Sequence, residues 1–194
     1  MQRTQIIFID HENVRETELT RISGKPAKVF IILGARSKTL PVQLFLFAQD
    51  HPGQVRIIQT PVEGPNALDF VLTCELGRQL AAEPDAYFHI VSKDNDFKSV
   101  VRHLKDEKRL IARHPSLADI PALWTARESI EKLKVQLADS STSRPSTRKT
   151  LANKIKSAFG NPGDPETIEN AIADIVQSGI LSFTDENKIS YTAA

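Results

Sequence analysis

The sequence is poor in cysteine and has almost no net charge. Its 194 residues include one cysteine, Cys74, so no disulfide can form within the chain. Because no catalytic or metal-binding pattern surrounds Cys74, we expect it to pack in the core of a helix in a protein of a reducing compartment. The formal net charge of +1 excludes a strong overall attraction for nucleic acid, so a polyanionic ligand must be held by a local patch.

Long hydrophobic runs are also missing. No apolar run approaches the ~18 residues that a membrane-spanning helix needs, and no signal-peptide pattern precedes the first strand-like segment. We therefore expect a cytoplasmic protein with no membrane contact. The hydrophobic content of 40% is still sufficient for a packed core, and 194 residues allow one medium domain and a small second one.

The first two thirds of the chain alternate between strand-like and helix-like segments. The strand-like segments are rich in Ile, Val and Phe without polar alternation, which is typical of parallel strands buried on both faces. They lie at residues 5–10, 28–34, 54–59, 86–92 and 108–112. Amphipathic patterns predict helices at residues 40–49, 66–83, 96–105 and 125–138. The alternation predicts an α/β fold with a five-stranded, mainly parallel sheet between layers of helices.

The composition changes after residue 138. Residues 139–147 have no large apolar side chain, which is typical of a linker. The remainder predicts two helices and a β-hairpin, at residues 148–159, 165–178, 180–184 and 188–192, with a turn at 160–163. We therefore expect an α/β domain at residues 1–138, a linker at 139–147, and a small winged-helix-like domain at 148–194.

Acidic side chains stand at the ends of two predicted strands. Asp10 ends the first strand, and Asp94 and Asp96 follow the fourth. Ligands of open parallel sheets bind beyond the carboxyl ends of the strands, so these side chains can converge, and Asp69 in the first turn of helix 66–83 can face the same edge. Each aspartate alone could instead cap a helix or a turn. Four carboxylates without a nearby thiol favour Mg²⁺ or Mn²⁺ over zinc and suit phosphodiester hydrolysis.

Three segments resemble the motifs of a known family. Residues 9–13 (IDHEN), 64–70 (GPNALDF) and 92–97 (SKDNDF) are similar in order and spacing to motifs of the PIN-like nucleases, in particular their NYN-type branch. The resemblance implies a five-stranded parallel sheet between helices and metal-dependent cleavage of RNA. It also implies that Asn13 orients the first aspartate or the scissile phosphate, and that the catalytic and metal-binding carboxylates are Asp10, Asp69, Asp94 and Asp96.

Other polar residues near this edge are candidates for binding the substrate. Arg36 and Lys38 follow the second strand and could hold the RNA backbone or be solvated loop charges. Asn66 and Ser92 could bind phosphate or satisfy backbone groups. Lys93 could contact a phosphate, or it could neutralise the carboxylate that follows it and weaken metal binding.

Three further residues receive structural interpretations. Glu12 is expected to be a solvated loop acid. Glu75 lies on a different face of its helix from Asp69, and we expect it at the surface. His89 lies within a predicted strand, where a hydrogen-bonded core residue is expected rather than a catalyst.

The first functional hypothesis is an endoribonuclease that uses Mg²⁺ or Mn²⁺ to hydrolyse RNA, in particular single-stranded RNA. Its C-terminal module would select the substrate, bind a protein partner or mediate self-association. The alternative is a non-catalytic module that retains the fold and binds RNA or protein. A third hypothesis keeps the acidic site but changes the chemistry to that of a phosphatase or a DNA-directed nuclease.

Overall fold

The protein is described here by a computed structural model that covers residues 3–16, 18–159, 165–184 and 186–192. The turn predicted at residues 160–163 lies outside these residues. The chain divides into two compact units, Met1–Leu123 and Trp124–Ala194. Among the described residues, no helix has both the length and the apolar character required to cross a membrane.

The first unit contains a five-stranded sheet in which all pairs are parallel. Its strands, in chain order, are β1 Gln5–Asp10, β2 Ala27–Leu33, β3 Val55–Gln59, β4 Tyr87–Val91 and β5 Ile111–His114. The spatial order is β3-β2-β1-β4-β5. Every residue of the central strand β1 is buried, because its apolar side chains meet a covered face on either side of the sheet. The predicted α/β fold class is confirmed.

Helices cover both faces of this sheet. Helix α1, Val42–Asp50, packs with three 3₁₀ turns on one face through a core that includes Ile7, Ile31 and Leu44. The 3₁₀ turns, which the sequence patterns did not predict, are Leu19–Ile22, Leu117–Asp119 and Pro121–Leu123. Helices α2, Ala67–Ala82, and α3, Phe97–Asp106, cover the opposite face, where Phe8 stacks on Phe30.

The strand order creates one crevice at the carboxyl edge of the sheet. From β1 the chain proceeds to β2 and β3 on one side, and it then returns to β4 on the other side. In an open parallel sheet, such a reversal leaves a gap beyond the strand ends where ligands bind. Here the crevice lies beyond the carboxyl ends of β1 and β4.

The second unit is a small helical module with a hairpin. It comprises α4 Ala126–Ala138, α5 Arg148–Ala158, α6 Pro165–Gln177 and the antiparallel strands β6 Leu181–Phe183 and β7 Ile189–Tyr191. Its core is aliphatic and draws on all three helices and β6, with side chains such as Leu137, Leu151, Ile172 and Leu181. Two helices followed by a hairpin agree with the predicted order of elements from residue 148 onward.

The division between the units differs from the boundary expected at residue 138. Helix α4 belongs to the second unit, because Leu133 and Leu137 pack in the same core as Leu151 and Ile155. The helix begins with a capping box, in which Thr125 and Glu128 exchange hydrogen bonds. Residues 139–147, expected to link two domains, are therefore a connection within the second unit.

This connection is held by hydrogen bonds to its own unit. The hydroxyl of Tyr191 donates to the carbonyl of Pro145 at 2.8 Å, and Lys154 Nζ donates to the carbonyl of Ser143 at 3.0 Å. The Arg144 guanidinium lies over the Tyr191 ring. Residues 139–147 lack large apolar side chains because they form an irregular segment, and this segment lies within the second unit.

Two interpretations of α2 are wrong. Cys74, expected in the core, is exposed, and Glu75, expected at the surface, is 5% exposed. The buried stripe consists of Leu68, Leu72, Glu75 and Leu76, so the carboxylate takes a place at helical spacing among leucines. Glu75 Oε1 pairs with Arg78, whereas its Oε2 is buried without a hydrogen-bond partner among the described residues.

Candidate acidic site

Asp10 is the fixed centre of the crevice. It is the last residue of β1 and is 1% exposed. Its Oδ1 accepts hydrogen bonds from the backbone amides of Glu12 (3.2 Å) and Asn13 (3.1 Å), and its Oδ2 accepts from Asn13 Nδ2 (3.0 Å) and Ser92 Oγ (2.8 Å). Asn13 and Ser92 therefore hold this carboxylate in one orientation.

Ser92 joins the two strand ends. It follows β4, is fully buried, and its Oγ accepts a hydrogen bond from the Asp94 amide at 3.0 Å while donating to Asp10. A fully buried hydroxyl has no exposed surface to offer a substrate. Of the two readings considered for Ser92, the structure therefore favours a positioning role over phosphate binding.

Asp94 and Asp96 occupy the loop that leads from β4 to α3. Asp94 is half-buried, and its Oδ1 accepts a hydrogen bond from the Asp96 amide at 2.9 Å. Asp96 takes the N-cap position of α3, yet its side chain makes no capping hydrogen bond and is exposed. Its carboxylate is therefore available to a ligand, contrary to the capping alternative.

Asp69 is the aspartate of this cluster whose pKa is raised. It lies half-buried in the first turn of α2. Burial raises the pKa of Asp69 from its ordinary value of 3.8 to about 6, and the negative charges of Asp10, Asp94, Asp96 and Glu12 add to this effect. The four predicted aspartates, drawn from three separate segments, therefore act on one another across a single region.

Glu12 also belongs to this cluster, although sequence reasoning treated it as a solvated acid. Its side chain is exposed, but it lines the same cleft as Asp10 and lies against Gly34 at the end of β2. A Cβ at position 34 would overlap the Glu12 carboxylate, so the glycine permits this approach. Gly34 directly follows β2, which is the neighbour of the strand that carries Asp10.

The carboxylates line a cleft of about 470 Å³, a size typical of ligand sites. Asp10, Glu12, Asp69 and Asp94 are among its lining residues. Asn66 lines it too; this residue precedes α2 with a φ of 58°, and its side chain makes no capping hydrogen bond. Asp96 instead lines a neighbouring groove that shares Asp69 and Asn66 with the cleft.

The two basic residues predicted after β2 lie close to the cleft. Arg36 lines the cleft and forms an exposed ion pair with Glu63. Lys38 lines an adjoining cleft of about 730 Å³ together with Arg15, Arg36 and His11. Lys93 is exposed and is not one of the described residues that line the acidic cleft.

Among the described histidines, His89 lies within β4, whereas His11 follows β1 and its Nδ1 is buried without a hydrogen-bond partner among the described residues. His89 hydrogen-bonds to Gln5 Oε1 at 2.8 Å and to His114 at 3.1 Å, and burial lowers its pKa to about 3, in agreement with the predicted core role. Burial also lowers the pKa of His11, although the charge of Asp10 opposes this shift.

The chemistry of the donor set fits a hard divalent cation, but the side chains are not arranged as a finished coordination shell. Among the described residues, no group of three or more His, Cys, Asp or Glu side chains has the arrangement needed to hold a metal ion. Crowded carboxylate oxygens are nevertheless the ligands that Mg²⁺ and Mn²⁺ prefer. A cation would also relieve the repulsion that raises the pKa of Asp69.

The parallel sheet and the carboxylates at its reversal point define an α/β protein with an acidic site of the kind that handles phosphate esters. The PIN domain family model matches residues 4–114, which is more than half of the chain and includes all four aspartates. The chain belongs to the PIN domain family, whose members are generally metal-dependent ribonucleases. A search of curated proteins gave no significant match.

Proposed function

We propose that this protein is an endoribonuclease of the NYN-type branch that hydrolyses single-stranded RNA with Mg²⁺ or Mn²⁺. The observation that carries the proposal is the cleft lined by Asp10, Asp69 and Asp94, in which burial, and after it the neighbouring carboxylates, raise the pKa of Asp69 to about 6. Carboxylates crowd in this way where a cation compensates for their repulsion. The family of the chain supports the same chemistry.

Each acidic residue receives a role from its surroundings. Asp10, Asp69 and Asp94 would hold the cation, which when bound lowers the pKa of water and offsets charge on the phosphoryl group. Asn13 and Ser92 fix Asp10. Asp96 would complete the site or orient the attacking water, because its exposed side chain makes no capping hydrogen bond.

The substrate would be gripped by residues on the rims of the two clefts. Arg36 and Lys38 lie in the connection from β2 to α1 and would contact the RNA backbone. Asn66, at the start of α2, offers an unengaged amide to a phosphate. Lys93 would contact a phosphate from the solvent side, since it is exposed.

The C-terminal unit would bind a protein partner, contact the substrate or mediate self-association. Two of the basic residues on α5 are already engaged within the unit: Arg148 pairs with Glu169, and Lys154 donates to Ser143. This leaves a weak basic face and favours a protein partner over a second RNA site. An exposed free Cys74 agrees with a reducing compartment such as the cytoplasm.

Cleavage assays with full-length protein test this proposal. Labelled single-stranded RNA, single-stranded DNA and a chromogenic phosphomonoester are each incubated with Mn²⁺ or EDTA. We expect cleavage of RNA with Mn²⁺ alone, and a loss of about 100-fold or more for Asp94→Asn. Asp106→Asn is the matched control, because Asp106 is exposed at the end of α3.

Each other outcome points to a different function. RNA cleavage that persists in EDTA, or that is equal in Asp94→Asn and wild type, contradicts the proposal. RNA binding with no turnover would favour the non-catalytic module instead. Preferred cleavage of DNA, or of the phosphomonoester, would change the substrate class while retaining the acidic site.

A further inference from the structure

An apolar groove of about 540 Å³ lies between α2 and α3, next to the acidic cleft. Phe70, Phe97 and Val100 are among its lining residues. Asp69 and Asn66 line both the groove and the acidic cleft, so the two depressions adjoin each other. A molecule bound at the carboxylates could therefore extend into the groove without leaving the surface.

Phe70 is the unusual side chain of this groove. It follows Asp69 directly on α2 and is 69% exposed, whereas Phe97 across the groove is 2% exposed. The buried stripe of α2 passes through Leu68 and Leu72, so Phe70 contributes nothing to the core. An exposed aromatic ring beside a ligand-binding cleft offers a flat apolar surface to a ligand.

We propose that this groove is a nucleobase subsite, in which Phe70 stacks on the base of a nucleotide that adjoins the scissile phosphate. The inference rests on the proposed function, namely that RNA is the substrate. A nucleotide joins a charged phosphate to a neutral, flat, apolar base through one sugar, and the molecule offers the matching surfaces side by side. The acidic cleft with its cation takes the phosphate, and the groove takes the base.

Charge distribution supports a base over a second phosphate as the occupant. Of the two carboxylates that line the groove, Asp69 is assigned to the cation, and the exposed Asp96 would repel a second phosphate but can accept a hydrogen bond from a base amino group. The cations that could hold the backbone, Arg15, Arg36 and Lys38, line the adjoining cleft, which shares Glu12 and Arg36 with the acidic cleft and has no residue in common with the groove. The backbone therefore runs toward these cations, and the base points toward Phe70.

This subsite gives the protein its preference for unpaired RNA. A base can stack on Phe70 only when it is free of its duplex neighbours. Stacking tolerates any base, because every base has a π-face, so the subsite selects single strands without selecting a sequence.

The test measures RNA binding without cleavage. Wild-type full-length protein in EDTA, where no cleavage is expected, and Asp94→Asn protein in Mn²⁺ are each titrated with single-stranded RNA that carries 2-aminopurine, and fluorescence reports stacking. We expect Phe70→Ala to weaken binding about 5- to 150-fold and to abolish the change in fluorescence. Phe70→Trp should preserve both signals. Phe45→Ala is the matched control, because Phe45 is 49% exposed on α1, which packs on the opposite face of the sheet.

An abasic scan of the RNA supplies the complementary change. Removal of the base that occupies the groove should weaken binding by the same factor as Phe70→Ala, and it should have no further effect in the Phe70→Ala protein. Independent, multiplicative effects of the two changes would overturn the proposal, as would equal RNA binding by Phe70→Ala and its parent. A changed sedimentation coefficient with unchanged RNA binding would assign the groove to a contact between copies and overturn it too.

Failure of the subsite differs visibly from failure of the proposed function. If RNA is not a ligand, every variant, including the Phe45→Ala control, fails to bind, and both proposals fall together. If RNA binds and Phe70 is irrelevant, the parent and the control bind equally and Phe70→Ala matches them. Thermal unfolding of each variant shows whether the exposed substitutions left the fold intact.

Discussion

At the scale of single residues, two aspartates of the acidic site differ in their surroundings. Asp10 accepts four hydrogen bonds, which fix the position of its carboxylate. Asp69 is half-buried, and burial, together with the charges of its neighbours, raises its pKa to about 6. The position of Asp10 is therefore fixed by hydrogen bonds, whereas the ionised form of Asp69 is disfavoured by its surroundings.

The raised pKa of Asp69 predicts how the stability of the protein depends on pH. The folded protein binds a proton at Asp69 with a pKa of about 6, above the value of 3.8 expected in the unfolded chain. Between these values the folded state binds more protons, so the contribution of Asp69 to stability falls as pH rises from about 4 to 6 and stays low above that. Asp69→Asn removes this penalty. In EDTA, we expect the variant to have a higher Tm than wild type at pH 7.5 and little difference at pH 4.

Thermal unfolding of both proteins across this pH range measures the effect. Asp106→Asn, with an exposed carboxylate, serves as the control and should show a pH profile parallel to that of wild type. A Tm difference between Asp69→Asn and wild type that is constant with pH would show that Asp69 does not carry the repulsion.

At the scale of elements, α2 places both a functional face and an unusual core position. Its first turn presents Asp69 to the cleft and Phe70 to the groove, while Leu68, Leu72 and Leu76 pack on the sheet. Glu75 interrupts this apolar stripe with a carboxylate whose second oxygen has no hydrogen-bond partner among the described residues. Burial of such a group costs free energy that an apolar side chain would not.

We expect Glu75→Leu to stabilise the protein by about 1 kcal/mol, because it replaces a buried, half-satisfied carboxylate by a side chain that suits the stripe. Arg78 loses its partner, but its side chain is 65% exposed and remains hydrated. Urea unfolding measures the change, and RNA cleavage should be unaffected. A large loss of stability would indicate that Glu75 has a buried role that the ion pair with Arg78 does not reveal.

The elements themselves could be predicted from the sequence, but the exact faces of one helix could not. Strand β1 has the predicted bounds because the polar residues Gln5 and Asp10 mark both ends of its unbroken apolar run. In α2, Cys74 was assigned to the core because no reactive pattern surrounds it, and Glu75 to the surface because it lies on a different face from Asp69; both assignments were wrong. Spacing from Leu68 and Leu72 would have placed Glu75 on the buried stripe.

At the scale of the whole molecule, the site depends on topology that no single segment contains. Asp10, Asp69 and Asp94 come from three segments and act on one another because the strand order reverses between β1 and β4. The sequence could predict where these acids lie, since Asp10 ends β1, Asp69 is in the first turn of α2 and Asp94 follows β4. It could not predict Glu12, because a loop acid becomes part of the cleft only through its contact with Gly34 at the end of the neighbouring strand.

The affiliation of α4 was also beyond the sequence. The stripe of Ile130, Leu133 and Leu137 shows that the helix buries one face, but periodicity does not reveal the partner. In the structure this face packs in the core of the C-terminal unit. The family match ends at residue 114, before α4 begins, so the family of the chain does not indicate a role for the C-terminal unit.

Isothermal titration calorimetry of full-length protein with Mn²⁺ tests the central claim most directly. It measures whether the carboxylates in the crevice beyond β1 and β4 bind a cation. The account predicts binding to the wild-type protein that is lost or strongly weakened in Asp10→Asn, Asp69→Asn and Asp94→Asn and retained in the Asp106→Asn control. Absence of binding to the wild type, or equal binding by all four variants, would contradict it.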